Sequence, residues 1–209
     1  MKKILLFIFI FSPVIAMANW VDDMRLMQNE WAKFNYLNSK SSKQEGLEQL
    51  LDIANEKLAI YPDQPEILIW HAIIEASYAG SLSAINPTAL SHVKSAKKHL
   101  EEAIEIDGDV LEGSAYTSLG SLYYQVPGWP IGFGDSEKAN EYLKKGLSLN
   151  PNGIDSNFFY ADFLIDKGEF EEAKAYLNKA RKAPGRLGRE YADQGRRIEI
   201  LQLIEKIKR

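Results

Sequence analysis

Tyr116-Thr-Ser-Leu119-Gly120-Ser-Leu-Tyr123, then Ala139-Asn-Glu-Tyr-Leu143, then Pro151, is the stretch whose reading decides the fold. Large apolar residues surround two small ones, Gly120 and Ala139, as two antiparallel helices require where their backbones come closest. In a helix-pair repeat of ordinary length these two positions stand twelve apart in the numbering; here they stand nineteen apart, so seven residues have been added between the helices. The addition contains Val126-Pro-Gly-Trp129-Pro-Ile-Gly-Phe133-Gly-Asp135.

Glycine permits tight backbone paths and proline stiffens them, so this loop is expected to hold one shape. Asp135 or Ser136 supplies the cap of the next helix. Trp129 and Phe133 either fold back over the top of the helices or line the mouth of a pocket, and both readings stay open. The loop lacks the Gly-Lys-Ser/Thr ending of a phosphate loop.

One unit earlier, Leu68, His71, Ala72 and Glu75 occupy the corresponding first-helix positions, and Ala96, Leu100 and Ala103 the second. Ala72 and Ala96 are twenty-four apart, and the surplus is Ala79-Gly-Ser-Leu-Ser-Ala-Ile-Asn-Pro87-Thr-Ala-Leu-Ser91, with Pro87 or Thr88 opening the next helix. Two successive units thus carry widened turns at equivalent places, which a stacked array sets along one edge. His71 and Glu75, four apart, form either a metal half-site or acid-base pair, or a buried pair that satisfies itself. The second is expected, so no catalytic residue, metal or cofactor is assigned. His92 and His99 share a helix face with Lys94, Lys97 and Lys98 close by, and are expected on a solvated surface.

One unit later the spacing is standard: Tyr160, Ala161 and Leu164, then Ala173, Leu177 and Ala180, with Pro184 near the end. A last helix from about Leu187 to Lys208 places Ile198, Leu201, Ile204 and Ile207 on its apolar face. Arg181, Lys182, Arg186, Arg189, Arg196 and Arg197 make its approach basic, as a solvated face or an anion site. At the other end, Trp20, Met24, Met27, Trp31 and Phe34 make a helical stripe. A polar break at 38–42 follows, then Leu47, Leu50, Leu51, Ala54 and Leu58 on a second helix that stops at Tyr61-Pro62.

The expected fold is therefore all-α: a solenoid of antiparallel helix pairs with a cap at each end. Residues 19–209 make a single domain, divided into a capping pair (19–62), repeats at 65–107, 113–151 and 154–184, and a capping helix at 187–208. Residues 1–18 have a basic start at Lys2 and Lys3, an apolar run from Ile4 to Ile15 and Ala16-Met17-Ala18, and are expected to be a signal peptide cleaved after Ala18. The run is short of the roughly 20 residues that span a bilayer.

The chain has 25 basic and 29 acidic residues, a net charge of −4, and no cysteine. That balance offers nucleic acid no electrostatic footprint. The missing thiols exclude disulfides, thiolate catalysis and Cys-ligated metal.

The helix-pair pattern resembles the tetratricopeptide repeat family over roughly residues 47–184, most specifically from Tyr116 to Pro151. Together with the export signal and the closing Gly188-Arg-Glu-Tyr-Ala-Asp-Gln-Gly-Arg-Arg197 segment, the long turn also resembles the T-component proteins of tripartite periplasmic (TRAP-type) transporters. Those proteins partner a periplasmic solute-binding subunit. This chain departs from the lipoproteins among them in having no lipobox cysteine.

Family geometry lines the groove with Glu66, Ile69, Trp70, Ile73, Ala76 and Ser77 of the first repeat. Ser114, Thr117, Ser118, Ser121, Tyr124 and Gln125 follow from the second, and Asp155, Phe158, Phe159, Asp162, Ile165 and Asp166 from the third. None is cationic, so the resemblance implies a groove for an apolar, neutral or cationic partner rather than for a terminal carboxylate. The resulting expectation is an exported, periplasmic or secreted, non-enzymatic binding or assembly module. Its partner is a protein or peptide, such as a solute-binding protein, and its oligomeric state is left open. The contact residues are Ile69, Trp70, Ile73, Thr117, Ser121, Tyr124, Trp129, Phe133, Phe158 and Asp162. A small-ligand carrier and an enzyme using His71 and Glu75 are the alternatives.

Overall fold

The computed structural model describes residues 19–36, 39–83 and 86–207. The expected signal peptide lies outside them. The described residues form nine helices: α1 (Trp20–Asn35), α2 (Lys40–Ile60), α3 (Pro65–Ser81), α4 (Pro87–Asp107), α5 (Val110–Gln125), α6 (Ser136–Leu149), α7 (Ile154–Asp166), α8 (Phe170–Lys182) and α9 (Glu190–Lys206).

Four of the starts, those of α1, α2, α4 and α6, fall where the chain supplies a side-chain acceptor for orphan backbone N–H groups. The side chain of Asn19 accepts from Val21 N at 3.1 Å, Asn86 from Thr88 N at 2.9 Å, and Asp135 from Glu137 N and Lys138 N at 2.9 and 3.1 Å. Ser39 caps α2, so that helix begins inside the expected polar break. Pro65 and Pro87 each stand in a first turn, where a missing N–H costs nothing. Residues 111–113 all have positive φ, so the right-handed part of α5 starts at Ser114.

The helices pack in antiparallel pairs, α1 with α2, α3 with α4, α5 with α6 and α7 with α8. Among the described residues α1, α3, α5 and α7 touch in series, while α2, α4, α6 and α8 do not touch one another. The first helices therefore form the inner, concave layer. At the α5–α6 crossing a Cβ on Gly120 would lie 2.7 Å from Leu143 Cγ and 2.9 Å from Leu143 N, so the small residue lets α6 dock onto α5. Ala139, Leu143 and Leu119 are all buried there.

Both widened turns begin at the C-terminal ends of inner helices, α3 and α5, and so lie on one edge of the stack. The longer one is tied down by its backbone: Gly134 N donates to Pro127 O at 3.0 Å and Asp135 N to Tyr123 O at 2.8 Å. A Cβ on Gly134 would meet Pro127 C at 2.9 Å, so a glycine is required for that approach.

Two expectations are corrected at the C-terminal end. The last helix starts at Glu190 rather than near Leu187, and its buried face is Ala192, Gly195, Arg196 and Ile200, with Leu203, Ile204 and Ile207 partly buried. Ile198 and Leu201 are half exposed. Moreover α9 does not simply cover α8; it also touches α7 and α1. Ala192 joins the apolar cluster of α1, α2 and α3, whereas Ile200 joins the cluster that runs from α3 to α8. Small residues make this possible, since a Cβ on Gly195 would fall on the ring of Tyr36 just after α1. The array thus curls until its two ends meet.

Candidate functional site

The curl encloses a groove of about 1010 Å³. Its floor is the inner layer: Trp70, Ile73, Ala76 and Ser77 of α3, Ser114, Thr117, Ser118 and Ser121 of α5, and Asp155 and Phe159 of α7. Trp31 and Gln28 of α1 close one side, and Arg186, Arg189 and Arg196 reach in from the segment leading into and through α9. Each widened turn gives residues to the rim, Asn86 from the first and Val126, Pro127 and Ile131 from the second.

Four of the ten expected contact residues, Trp70, Ile73, Thr117 and Ser121, line this space. The other six do not. Ile69 is fully buried in the core, because its side of α3 faces α4 and α5. Tyr124 donates to Asp162 Oδ2 at 2.7 Å, so these two tie α5 to α7 instead of facing a ligand. Burial first, and then the Asp162 charge, pushes the Tyr124 hydroxyl well above its ordinary pKa. Phe158 lies under the Arg196 guanidinium, 4.1 Å from ring to carbon. Phe133 packs edge-on against Tyr123 with centroids 5.6 Å apart, which seals the loop against α5. Trp129 does not fold back over the helices: it stands 90% exposed at the loop tip.

The expectation of a groove without positive charge is overturned. It was drawn from the first helices of the repeats alone, and the cations come from elsewhere, from α2 as Lys43 and from the C-terminal segment. Arg196 is 8% exposed; its Nε donates to Asp155 Oδ1 at 2.8 Å and a terminal nitrogen to Glu199 Oε2 at 2.7 Å. Arg186 takes the other oxygen of Asp155 at 2.6 Å and also pairs with Asp193. Burial alone would raise the Asp155 carboxyl, but the two guanidiniums outweigh it and hold the pKa at about 2. Burial pushes the Tyr36 hydroxyl up, and it donates to Glu199 at 3.3 Å, joining α1 to the same network.

Arg189 differs from its neighbours. Its guanidinium lies over the Trp70 ring, 4.8 Å from the centroid, and its Nε is buried without a hydrogen-bond partner. No ion pair within 4.0 Å is formed by it or by Lys43 among the described residues. Burial, reinforced by the charge of Arg186, lowers the Arg189 pKa to about 10, and burial lowers that of Lys43. A cation held against an indole, short of hydrogen-bond acceptors, presents a site for a carboxylate or another oxyanion.

A second cluster stands apart from the groove floor. His71 and Glu75 do face each other, but His92 and His99 join them. The expected solvated face is corrected: Lys97 and Lys98 pair with Glu101 and Glu102 of their own helix, and the histidines turn inward to α3. Within this cluster His71, Glu75 and His99 bring together donor atoms of the kind a metal ion takes.

With the geometry in place, comparison with known proteins adds one observation: the tetratricopeptide repeat family model matches residues 131–191, from the widened loop into α9. Over that stretch the chain is similar to tetratricopeptide repeats. Among solved structures it is similar to a thermophilic TPR protein of Thermus thermophilus, at 15% identity over 88% of this chain and 100% of that one, with a TM-score of 0.47. It is also similar to pilF of Pseudomonas aeruginosa, at 18% identity over 86% of this chain and 91% of that one, with a TM-score of 0.36. No curated protein matches the chain. Tetratricopeptide repeats generally serve as non-catalytic scaffolds that bind other proteins. Among the described residues no helix is long and apolar enough to cross a membrane.

Proposed function

We propose that this chain is a protein-interaction module whose closed groove takes a partner segment bearing a carboxylate, with Arg189 as the anchor. The observation that supports it most is the Arg189 guanidinium, seated on Trp70, lining the groove and, among the described residues, forming no ion pair within 4.0 Å. Arginine and tryptophan together are the residue types most often found at the energetic centres of protein interfaces. Small and apolar residues around them, Ile73, Ala76 and Phe159, suit the rest of a short extended segment. Ile131, exposed on the groove rim, gives the same partner an apolar foothold.

The first eighteen residues and the resemblance to T-component proteins favour action outside the cytoplasm, beside a periplasmic solute-binding protein. A small-ligand carrier is the second reading. It is favoured by the enclosure itself, since the groove volume is at the upper end of what drug-sized ligands occupy.

Affinity capture from a periplasmic extract tests the first reading. Wild type is expected to retain a partner that Arg189→Gln loses at least tenfold, with helix content unchanged. Equal capture by both proteins contradicts it. A carboxylate-bearing small molecule that raises the melting temperature of wild type but not of Arg189→Gln, with no protein captured, favours the carrier.

A further inference from the structure

The chain has three histidines, and all of them converge on one carboxylate. Glu75 lies on α3 one turn after His71, and His92 and His99 lie two turns apart on the facing side of α4. Oε1 of Glu75 is 3.0 Å from His92 Nδ1, and Oε2 is 3.8 Å from both His71 Nδ1 and His99 Nδ1. His71 and Glu75 are 2% and 6% exposed, and the side chain of His99 is 17% exposed. The rings of His71 and His99 meet edge to face with centroids 4.6 Å apart.

Three atoms of this cluster, His71 Nδ1, Glu75 Oε2 and His99 Nδ1, are buried and have no hydrogen-bond partner. Three buried polar atoms turned toward one centre, each too far from the next for a hydrogen bond, are unfavourable unless something else satisfies them. One ligand atom from each of the three residues lies within 4.8 Å of the others. Zinc–nitrogen and zinc–oxygen bonds of about 2.0–2.2 Å place tetrahedral ligands about 3.4 Å apart. The two Glu75–histidine separations of 3.8 Å therefore need to close by a few tenths of an ångström, and the two imidazoles, whose ligand atoms lie within 4.8 Å of each other, draw together around the ion.

The surroundings fix the donors. His71 Nε2 is 2.8 Å from Asn55 Oδ1, and an amide oxygen only accepts, so Nε2 carries the hydrogen and Nδ1 keeps its lone pair. His92 holds the remaining carboxylate oxygen from the more open side, its own side chain 28% exposed and its ring 5.2 Å from that of Tyr78. Lysines that would repel a cation are engaged elsewhere, Lys97 with Glu101 at 2.6 Å and Lys98 with Glu102 at 3.2 Å.

We propose that His71 Nδ1, His99 Nδ1 and Glu75 Oε2 form a binding site for a divalent transition-metal ion of the zinc class, with Asn55 orienting His71 and His92 orienting Glu75. Two imidazoles and one carboxylate are the donor set of zinc, copper or nickel rather than of magnesium or calcium. Three protein ligands leave a fourth position for a water molecule. The ion would join α3 to α4 directly below the first widened turn, and so fix the wall that carries Trp70 and Ile73. It does not depend on what the groove binds.

The test uses tag-free, full-length mature protein stripped with chelator, titrated calorimetrically with zinc chloride and followed by visible absorption with cobalt chloride. One ion per chain is expected, with a cobalt spectrum of tetrahedral nitrogen-oxygen type and a melting temperature that rises with zinc. His99→Asn, at the most accessible of the three ligands, and Glu75→Gln are each expected to weaken zinc binding at least 100-fold. Asn55→Ala, which leaves all three ligands in place, is expected to weaken it about 10- to 100-fold. Failure of wild type to bind zinc or cobalt saturably, or binding unchanged in His99→Asn and Asn55→Ala, overturns the assignment.

Discussion

Replacing Arg196 with alanine removes the centre of the network that holds α9 across the groove. The side chain is 8% exposed, donates to Asp155 and Glu199 at 2.8 and 2.7 Å, and covers Phe158 and Phe159 at 4.1 and 4.7 Å. Breaking a buried ion pair from one side costs about 3–5 kcal/mol. Here Asp155 retains Arg186 and is one-third open to the groove, which lowers the electrostatic share to about 2 kcal/mol. Lost contact with two aromatic faces adds about 1 kcal/mol. The sum, about 3 kcal/mol, corresponds to a fall in melting temperature of about 6–12 °C for a domain of this size. Urea denaturation and thermal circular dichroism measure it, with Arg181→Ala as an exposed control. A double-mutant cycle with Asp155→Asn is expected to show coupling of about 1–2 kcal/mol. If Arg196→Ala lies within about 0.5 kcal/mol of wild type, or no lower than the control, the closure by α9 is refuted.

Acid should loosen the same clasp. Asp155 has its pKa depressed to about 2 from 3.8, so its contribution is complete above pH 4 and is lost as pH falls toward 2. Denaturation followed at pH 5, 3 and 2 is expected to show a loss of about 1–2 kcal/mol in wild type that Asp155→Asn lacks. Gly120→Ala presses a methyl group onto Leu143, backbone included, and is expected to cost about 2–3 kcal/mol in urea, whereas Gly80→Ala, with nothing within 4 Å, is expected to be neutral or slightly stabilising. Trp129→Ala should change stability by less than about 0.5 kcal/mol because the ring is 90% exposed, and Phe133→Ala should cost about 2 kcal/mol through its contact with Tyr123. Equal effects of the last two would place the loop differently.

The helix pairs were legible because their signals are local. Small residues at Gly120, Ala139, Ala161 and Ala173, prolines at the joints and apolar spacing together state which faces meet. The placing of Trp70, Ile73, Thr117 and Ser121 along the groove follows from the same repeat geometry. What the sequence concealed is long-range. A helix that buries Arg196 and leaves Ile198 and Leu201 half exposed contradicts the rule that apolar residues define the buried face. The rule fails because Asp155, far away in the chain, supplies the charge that pulls Arg196 inward. One clue was present: Ala192, Gly195 and Arg196 share a face of α9, with Arg189 just before its start, and two small residues among arginines mark close approach to another backbone. The histidines were missed for a related reason. Flanking lysines suggested a wet surface, but on a helix neighbours in sequence point apart, and His92 and His99 turn toward Glu75 while Lys98 reaches Glu102.

The claim on which the groove and its cations rest is that α9 closes against the end of α1. Nuclear Overhauser spectroscopy on labelled protein reads this directly, since the α-hydrogens of Gly195 should lie against the ring of Tyr36. Strong cross-peaks between Tyr36 ring protons and Gly195 α-protons, lost in Arg196→Ala, are the expected result. Their absence in wild type, with the Gly195 amide exchanging as freely as that of the fully exposed Leu187, would contradict it.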